Sequence, residues 1–117
     1  MGLRGMNENK IIYEKLINGI KYYYKGKDIF QMFLHGGCYW LALTLHKYIP
    51  DSAIVFNQKM QHCACLFNQG VYDIRGRIHS GGFVIAGKED MEYMKKHFVP
   101  YFDTKGLGCY LNELMKA

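Results

Sequence analysis

Proline is nearly missing from this chain, with two residues in 117, and no Ser-rich or Pro-rich stretch makes up for it. No linker is visible, and the length has room for one small domain. Long apolar runs are missing too. The run from Tyr39 to Leu43 is far too short to span a bilayer. The opening residues MGLRGMNENK contain no apolar h-region, so no secretory signal is visible, and Met6 stands where a myristoylation signal wants Ser or Thr. Cysteine is present four times (Cys38, Cys63, Cys65, Cys109), but never as a CxxC pair, and no H-x-E with PCxxC deaminase signature occurs. Without an export signal the four read as thiols in a cytoplasmic protein. Fifteen Lys and Arg against ten Asp and Glu leave a net charge of only +5. The lysines form no basic stripe, so nucleic acid is not the expected partner.

Half of the residues are hydrophobic and 21% are charged, enough apolar material for a packed core. Asn7 or Asn9 can cap a first helix reaching to about Tyr24. On it, Ile12, Tyr13, Leu16, Ile17, Ile20, Tyr23 and Tyr24 share an arc of roughly 140°, with lysines opposite. The tyrosines belong to the edge of a core and are not a base-stacking platform. KGKD (Lys25–Asp28) breaks the helix, with Asp28 as a turn or cap residue. A second helix runs from Cys38 to Ile49, stopped by Pro50. Cys38, Leu41, Ala42, Leu45, Tyr48 and Ile49 share one face, and Trp40 and Lys47 point away.

Strands are expected at Ala53–Gln58, Gln61–Phe67 and Val71–Gly76, the last two joined across Asn68-Gln69-Gly70 as a hairpin. Phe83–Ala86 is a possible fourth. Glu89–Phe98 and Leu107–Met115 read as closing helices. The expected fold is one α+β domain over residues 1–117, a central Cys38-bearing helix on a sheet of three to four antiparallel strands, with a catalytic-like core at about 31–78.

Cys38 follows two glycines at a helix N-terminus, where unpaired N–H groups and the positive end of the helix dipole lower a thiol pKa. Alone, such a cysteine reads equally as a small buried hydrophobe. Chain geometry adds to it. The helix carries the chain about 17 Å away from Cys38 at 1.5 Å per residue. The strand Ala53–Gln58 brings it back a similar distance, and the next strand then starts with His62 near Cys38. If the hairpin pairs Leu66 with Val71 and Phe67 with Gly70, Asp73 faces Ala64 and becomes a diagonal neighbour of His62. A register shifted by one would send Asp73 to the other face. A thiolate nucleophile, an imidazole to move the proton and an acid to hold its tautomer are the parts of acyl transfer.

At these residues, GGCYWLAL followed by QHCACLFNQGVYDIRG, the chain resembles the papain-like superfamily and especially its transglutaminase-like branch. It is also similar to small bacterial and phage proteins with the same succession. The resemblance covers about Gly36–Gly76. It implies Cys38 as nucleophile, His62 as general base and acid, and Asp73 as orienter. It also points to Gln31, upstream of the nucleophile, as an oxyanion donor beside the Cys38 N–H. The short distance from Cys38 to His62 leaves little chain for a substrate cleft.

Other readings of the same residues stand beside this one. Strand alternation sets Cys63 and Cys65 on the face opposite His62, where they pack in the core and do not converge on a metal. His35 is a loop residue next to the Gly-Gly turn, and His46, His79 and His97 are surface groups. Arg75 and Arg77 follow Asp73 and suit either a carboxylate pair or an acidic substrate group. The expectation is a cysteine-dependent enzyme acting on an amide as peptidase, amidase or deamidase, with a protein or peptide as substrate or partner. No metal or organic cofactor follows from the sequence. The competing expectation is a non-catalytic protein-binding module, or a phage-type inhibitor, on the same scaffold.

Overall fold

The structure of the chain, a computed structural model, describes residues 3–117. Its elements are α1 (Leu3–Tyr23), α2 (Ile29–Leu34), α3 (Cys38–Tyr48), β1 (Ala53–Asn57), β2 (His62–Phe67), β3 (Gly70–Asp73), β4 (Gly76–Ile78), β5 (Val84–Ile85), α4 (Lys88–His97) and α5 (Thr104–Lys116). The strands form one sheet in the order β4-β3-β2-β1-β5, and every pairing is antiparallel. The architecture is α+β, with α1 and α5, which pack on each other, flanking the helix-bearing side of the sheet.

The apolar spacing of α1 does what its arc requires. Leu16 and Ile20 are wholly buried, and they share a core with Phe33, Leu41, Leu45, Phe67, Leu107 and Leu111. Burying each such side chain contributes about 2 kcal/mol. A second cluster joins the N-terminal half of α3 to β1, β2 and α4 through Cys38, Tyr39, Ala42, Ile54, Phe56, Cys63 and Met94. The opposite face of the sheet carries Val55, Ala64 and Val71, covered in part by Phe83. The alternation along β1 and β2 thus divides their side chains between the two faces, as a period of two demands.

Several elements depart from the sequence expectation. Neither Asn7 nor Asn9 caps α1, because the helix begins before both. Asn9 is buried and donates from Nδ2 to the Pro50 carbonyl at 3.3 Å and to Asn68 Oδ1 at 3.4 Å, so its side chain ties α1 to Pro50 and to the β2–β3 turn. Asp28 does cap: its carboxylate accepts from the Gln31 N–H at 3.1 Å and starts α2, a short helix missing from the expectation. Trp40, expected on the side of α3 away from Cys38 and Leu41, is partly covered by the core. It lies half-buried with its ring 6.2 Å from Phe33, in a crowded side of α3. The stretch Val71–Gly76 does not run as one strand. It turns at Ile74–Arg75 and pairs Asp73 with Gly76, whose positive φ of 110° only glycine adopts easily. The sheet therefore has five strands.

Two connections frame the start of β2. Because β4 and β5 occupy opposite edges, residues 79–83 carry the chain from one edge to the other. This crossing is pinned by Asn57, whose Nδ2 donates to the Gly81 carbonyl at 3.3 Å, and it sets the Phe83 ring edge-on to His62 with centroids 6.1 Å apart. The second connection, between α4 and α5, lays Val99 and Phe102 against Gly36 and Gly37 just ahead of Cys38.

Candidate active site

The Gly36-Gly37 turn delivers the chain to the first residue of α3. Gly36 has a φ of 106°, and the Gly37 N–H donates to the Met32 carbonyl at 3.1 Å. A Cβ on Gly37 would stand 2.7 Å from that carbonyl oxygen and 2.8 Å from Phe102 Cζ, so no other residue fits without a shift. Cys38 then occupies the first turn of α3, buried among β1, β2 and α4, where backbone N–H groups lack intrahelical partners.

The hairpin closes in the register that the site needs: Leu66 pairs with Val71 and Phe67 with Gly70. His62 and Asp73 meet as a result. Nε2 of His62 lies 2.8 Å from Asp73 Oδ2, with 7% and 2% of the two side chains exposed. With Nε2 engaged, Nδ1 is the ring nitrogen left for another partner. The carboxylate is held on further sides. The Arg75 N–H donates to Oδ1 at 2.8 Å, and the Arg75 guanidinium donates from Nη2 to Oδ2 at 2.6 Å and from Nε to Oδ1 at 3.2 Å. The Tyr13 hydroxyl donates to the Asp73 carbonyl and ties this end of β3 to α1.

Cys38 meets two groups at the start of β2. Its Sγ lies 3.5 Å from Sγ of Cys63, whose thiol donates to it. That thiol does most to favour the Cys38 thiolate, burial opposes it, and the His62 imidazole adds to the stabilisation, so Cys38 titrates well below an ordinary thiol. The cost falls on Cys63, held far above the usual range by the thiolate beside it and by burial. Burial also works against an imidazolium at His62, but the bond to Asp73 and the interaction with Cys38 outweigh it and lift the ring to about 9. Asp73 follows the same pattern: burial raises its carboxyl, while His62 and Arg75 prevail and hold it below the usual carboxylate range. At neutral pH the arrangement is a thiolate beside an imidazolium, with a carboxylate behind it.

The structure thus brings together Cys38, His62 and Asp73. Gln31 does not join them through any described contact. It is exposed in α2, and its backbone serves the Asp28 cap. Two further residues join the cluster. Cys63 packs in the core on the face away from His62, as strand alternation predicts, and that face carries Cys38. Of the two roles open to Arg75 in the sequence, the structure shows the carboxylate pair, with Asp73. His35, His46, His79 and His97 are exposed and stand apart, His46 on Ser52 at 3.0 Å and His97 on the Tyr93 carbonyl at 2.9 Å. Close to the start of β2, a surface cavity of about 530 Å³ is lined by Phe56, Asn57, Met60, Gly82 and Val84. No helix among the described residues is long and apolar enough to cross a membrane.

A family model described as phage YunG-like protein matches residues 16–112, which include all of these site residues. The chain belongs to that family. No curated protein and no solved structure matches it.

Proposed function

We propose that this member of the phage YunG-like family is a cysteine-dependent acyl-transfer enzyme acting on an amide, in the manner of the papain-like and transglutaminase-like enzymes it resembles. The observation that carries this reading is the linked set of Cys38, His62 and Asp73: a thiol held as thiolate, next to an imidazole that is bonded on its far nitrogen to a buried carboxylate. In the reaction, the Cys38 thiolate attacks the amide carbonyl, and the N–H groups at the start of α3 receive the oxyanion. Collapse breaks the C–N bond as the His62 imidazolium passes its proton to the departing amine. A thioester remains. Neutral His62 then takes a proton from water, or from an acceptor amine, which displaces the thiolate. Asp73 keeps the ring oriented throughout, and Arg75 keeps Asp73 in place.

The test is amine or ammonia release from short glutamine-containing peptides and from peptide amides, with and without an added primary amine. Turnover that falls at least ~100-fold in both Cys38→Ala and His62→Ala supports the proposal. Turnover that is absent across the panel, or unchanged in Cys38→Ala, overturns it.

A second reading, a non-catalytic protein-binding module, is favoured by one observation. Cys38, His62 and Asp73 are 3%, 6% and 2% exposed. In that reading the set is an internal polar network holding α3 to β2 and β3. It predicts no turnover together with capture of a partner that survives Cys38→Ala.

A further inference from the structure

We propose that Cys38 and Cys63 are a two-thiol redox switch, which a small hydroperoxide closes into a reversible Cys38–Cys63 disulfide. This goes beyond the amide reading and does not depend on it, since it needs only the two sulphurs and an oxidant.

The geometry is that of a reactive thiol with its resolving partner already in place. The two Sγ atoms lie 3.5 Å apart, although the residues are 25 positions apart in the chain. Forming a bond of about 2.05 Å asks the sulphurs to close by about 1.5 Å. One partner stands on the first turn of α3 and the other on the central strand β2, so the crosslink would staple two packed elements and leave the termini free. The pairing is also selective. Cys65 is buried in the separate cluster around Leu16 and Phe67, and Cys109 is exposed on α5. Burial sets the order as well. Cys63 is 0% exposed, so an oxidant meets Cys38 first and Cys63 acts from within as the resolving thiol, an order that suits a small hydroperoxide.

The steps balance. The Cys38 thiolate attacks one peroxide oxygen, so an S–O bond forms and the O–O bond breaks. The departing alkoxide or hydroxide takes a proton from the neighbouring imidazolium and leaves as alcohol or water. Cys38 is then a sulfenic acid, oxidised by two electrons as the peroxide is reduced. The Cys63 sulphur attacks Cys38 Sγ. The S–S bond forms, the S–O bond breaks, and the hydroxyl leaves as water with the Cys63 proton. The sum is two thiols and one hydroperoxide giving one disulfide, one alcohol or water, and one further water. In the closed state Cys38 has no thiolate, so the switch silences any chemistry that uses it.

The experiment treats the intact folded protein with hydrogen peroxide at neutral pH, then denatures it and blocks free thiols with iodoacetamide for non-reducing peptide mapping. The expected result is the loss of two of the four alkylatable cysteines, recovery of a single crosslinked peptide containing Cys38 and Cys63, and restoration of all four by dithiothreitol. In Cys63→Ala the same treatment leaves Cys38 carrying added oxygen, with no crosslink. The proposal is overturned if all four thiols of the treated wild type remain alkylatable, or if the crosslink joins another pair. Should Cys63→Ala fail to fold, the wild-type map alone decides. Because the map uses no substrate, its failure and a failure of amide turnover are read separately.

Discussion

His62 and Asp73, eleven positions apart, are joined inside the protein by a 2.8 Å hydrogen bond from imidazole to carboxylate. The bond exists because the Asn68-Gln69-Gly70 turn sets the register of β2 against β3, and it fixes which ring nitrogen is free. The amide chemistry proposed for Cys38 passes through it. An imidazole without this partner would be driven toward its neutral form by burial, and a neutral ring does less to hold a thiolate.

The first prediction concerns the thiol itself. The rate of iodoacetamide alkylation at Cys38 against pH, read by peptide mapping, should show a midpoint well below the free-thiol value of about 8.5. The lowering comes first from the Cys63 thiol and then from His62. In His62→Ala the midpoint should therefore rise but stay below that of an ordinary thiol, and in Cys63→Ala it should also rise. A wild-type midpoint near the free-thiol value would remove the thiolate from the account.

Stability should carry the same signature, with the signs opposed. His62 has a folded value of about 9. Its contribution is complete below its unfolded value of about 6.5 and disappears as pH climbs through about 9. Cys38 has a depressed value, so its contribution is complete above about 8.5 and disappears as pH falls through the lowered folded value. Between about 6.5 and 8.5 the two slopes oppose each other, and urea unfolding of the wild type should be nearly independent of pH there. Cys38→Ser deletes the rising slope. Asp73 still lifts the ring in that variant, so stability should decline as pH rises from about 6.5, and a flat profile would show that the Asp73 bond alone does not hold the imidazolium.

Asp73→Asn should separate the buried network from the exposed glutamine. It removes the charge shared by His62 and Arg75, and breaking a buried pair of this kind costs about 3 kcal/mol. It should also raise the Cys38 alkylation midpoint, because the ring loses the partner that keeps it charged. Gln31→Ala should change stability by less than about 0.5 kcal/mol and leave the midpoint unmoved, since Gln31 is exposed and has no described side-chain contact with the cluster. A midpoint displaced by Gln31→Ala would bring that residue into the site.

Much of this was legible in the sequence because two local rules reach a long way. The hairpin turn and the period of two together set Asp73 opposite Ala64, beside His62. The length of α3 against that of β1 returned the chain to Cys38. What was not legible depended on contacts that no single element specifies. Alternation assigns Cys63 a face of β2 but is silent on what packs over that face, and the answer is Cys38. Arg75 reaches Asp73 only because the chain turns at Ile74, which a reading of Val71–Gly76 as one strand hides. A strand of three residues such as β4 buries too little to leave a pattern, whereas β5 falls within the strand expected at Phe83–Ala86. Asn9 looked like a cap because its partners, Pro50 and Asn68, lie far away in the chain.

The last prediction tests the delivery of Cys38. Gly37 sits where a side chain would collide with the Met32 carbonyl oxygen at 2.7 Å and with Phe102 Cζ at 2.8 Å. The Phe102 ring can tilt away, but the carbonyl belongs to the backbone of α2 and accepts the Gly37 N–H, so relief on that side must move the turn. Gly37→Ala should cost about 2–3 kcal/mol, in the range of overpacked sites. By shifting the first turn of α3 it should also carry Cys38 away from Cys63 and His62, and move the alkylation midpoint toward that of a free thiol. Gly26→Ala is the control. Gly26 has a φ of 86° and nothing within 4 Å of the added methyl, so the cost is backbone strain of about 1 kcal/mol with no change at Cys38. If Gly37→Ala loses stability but keeps the wild-type midpoint, the two glycines shape the fold without aiming the nucleophile.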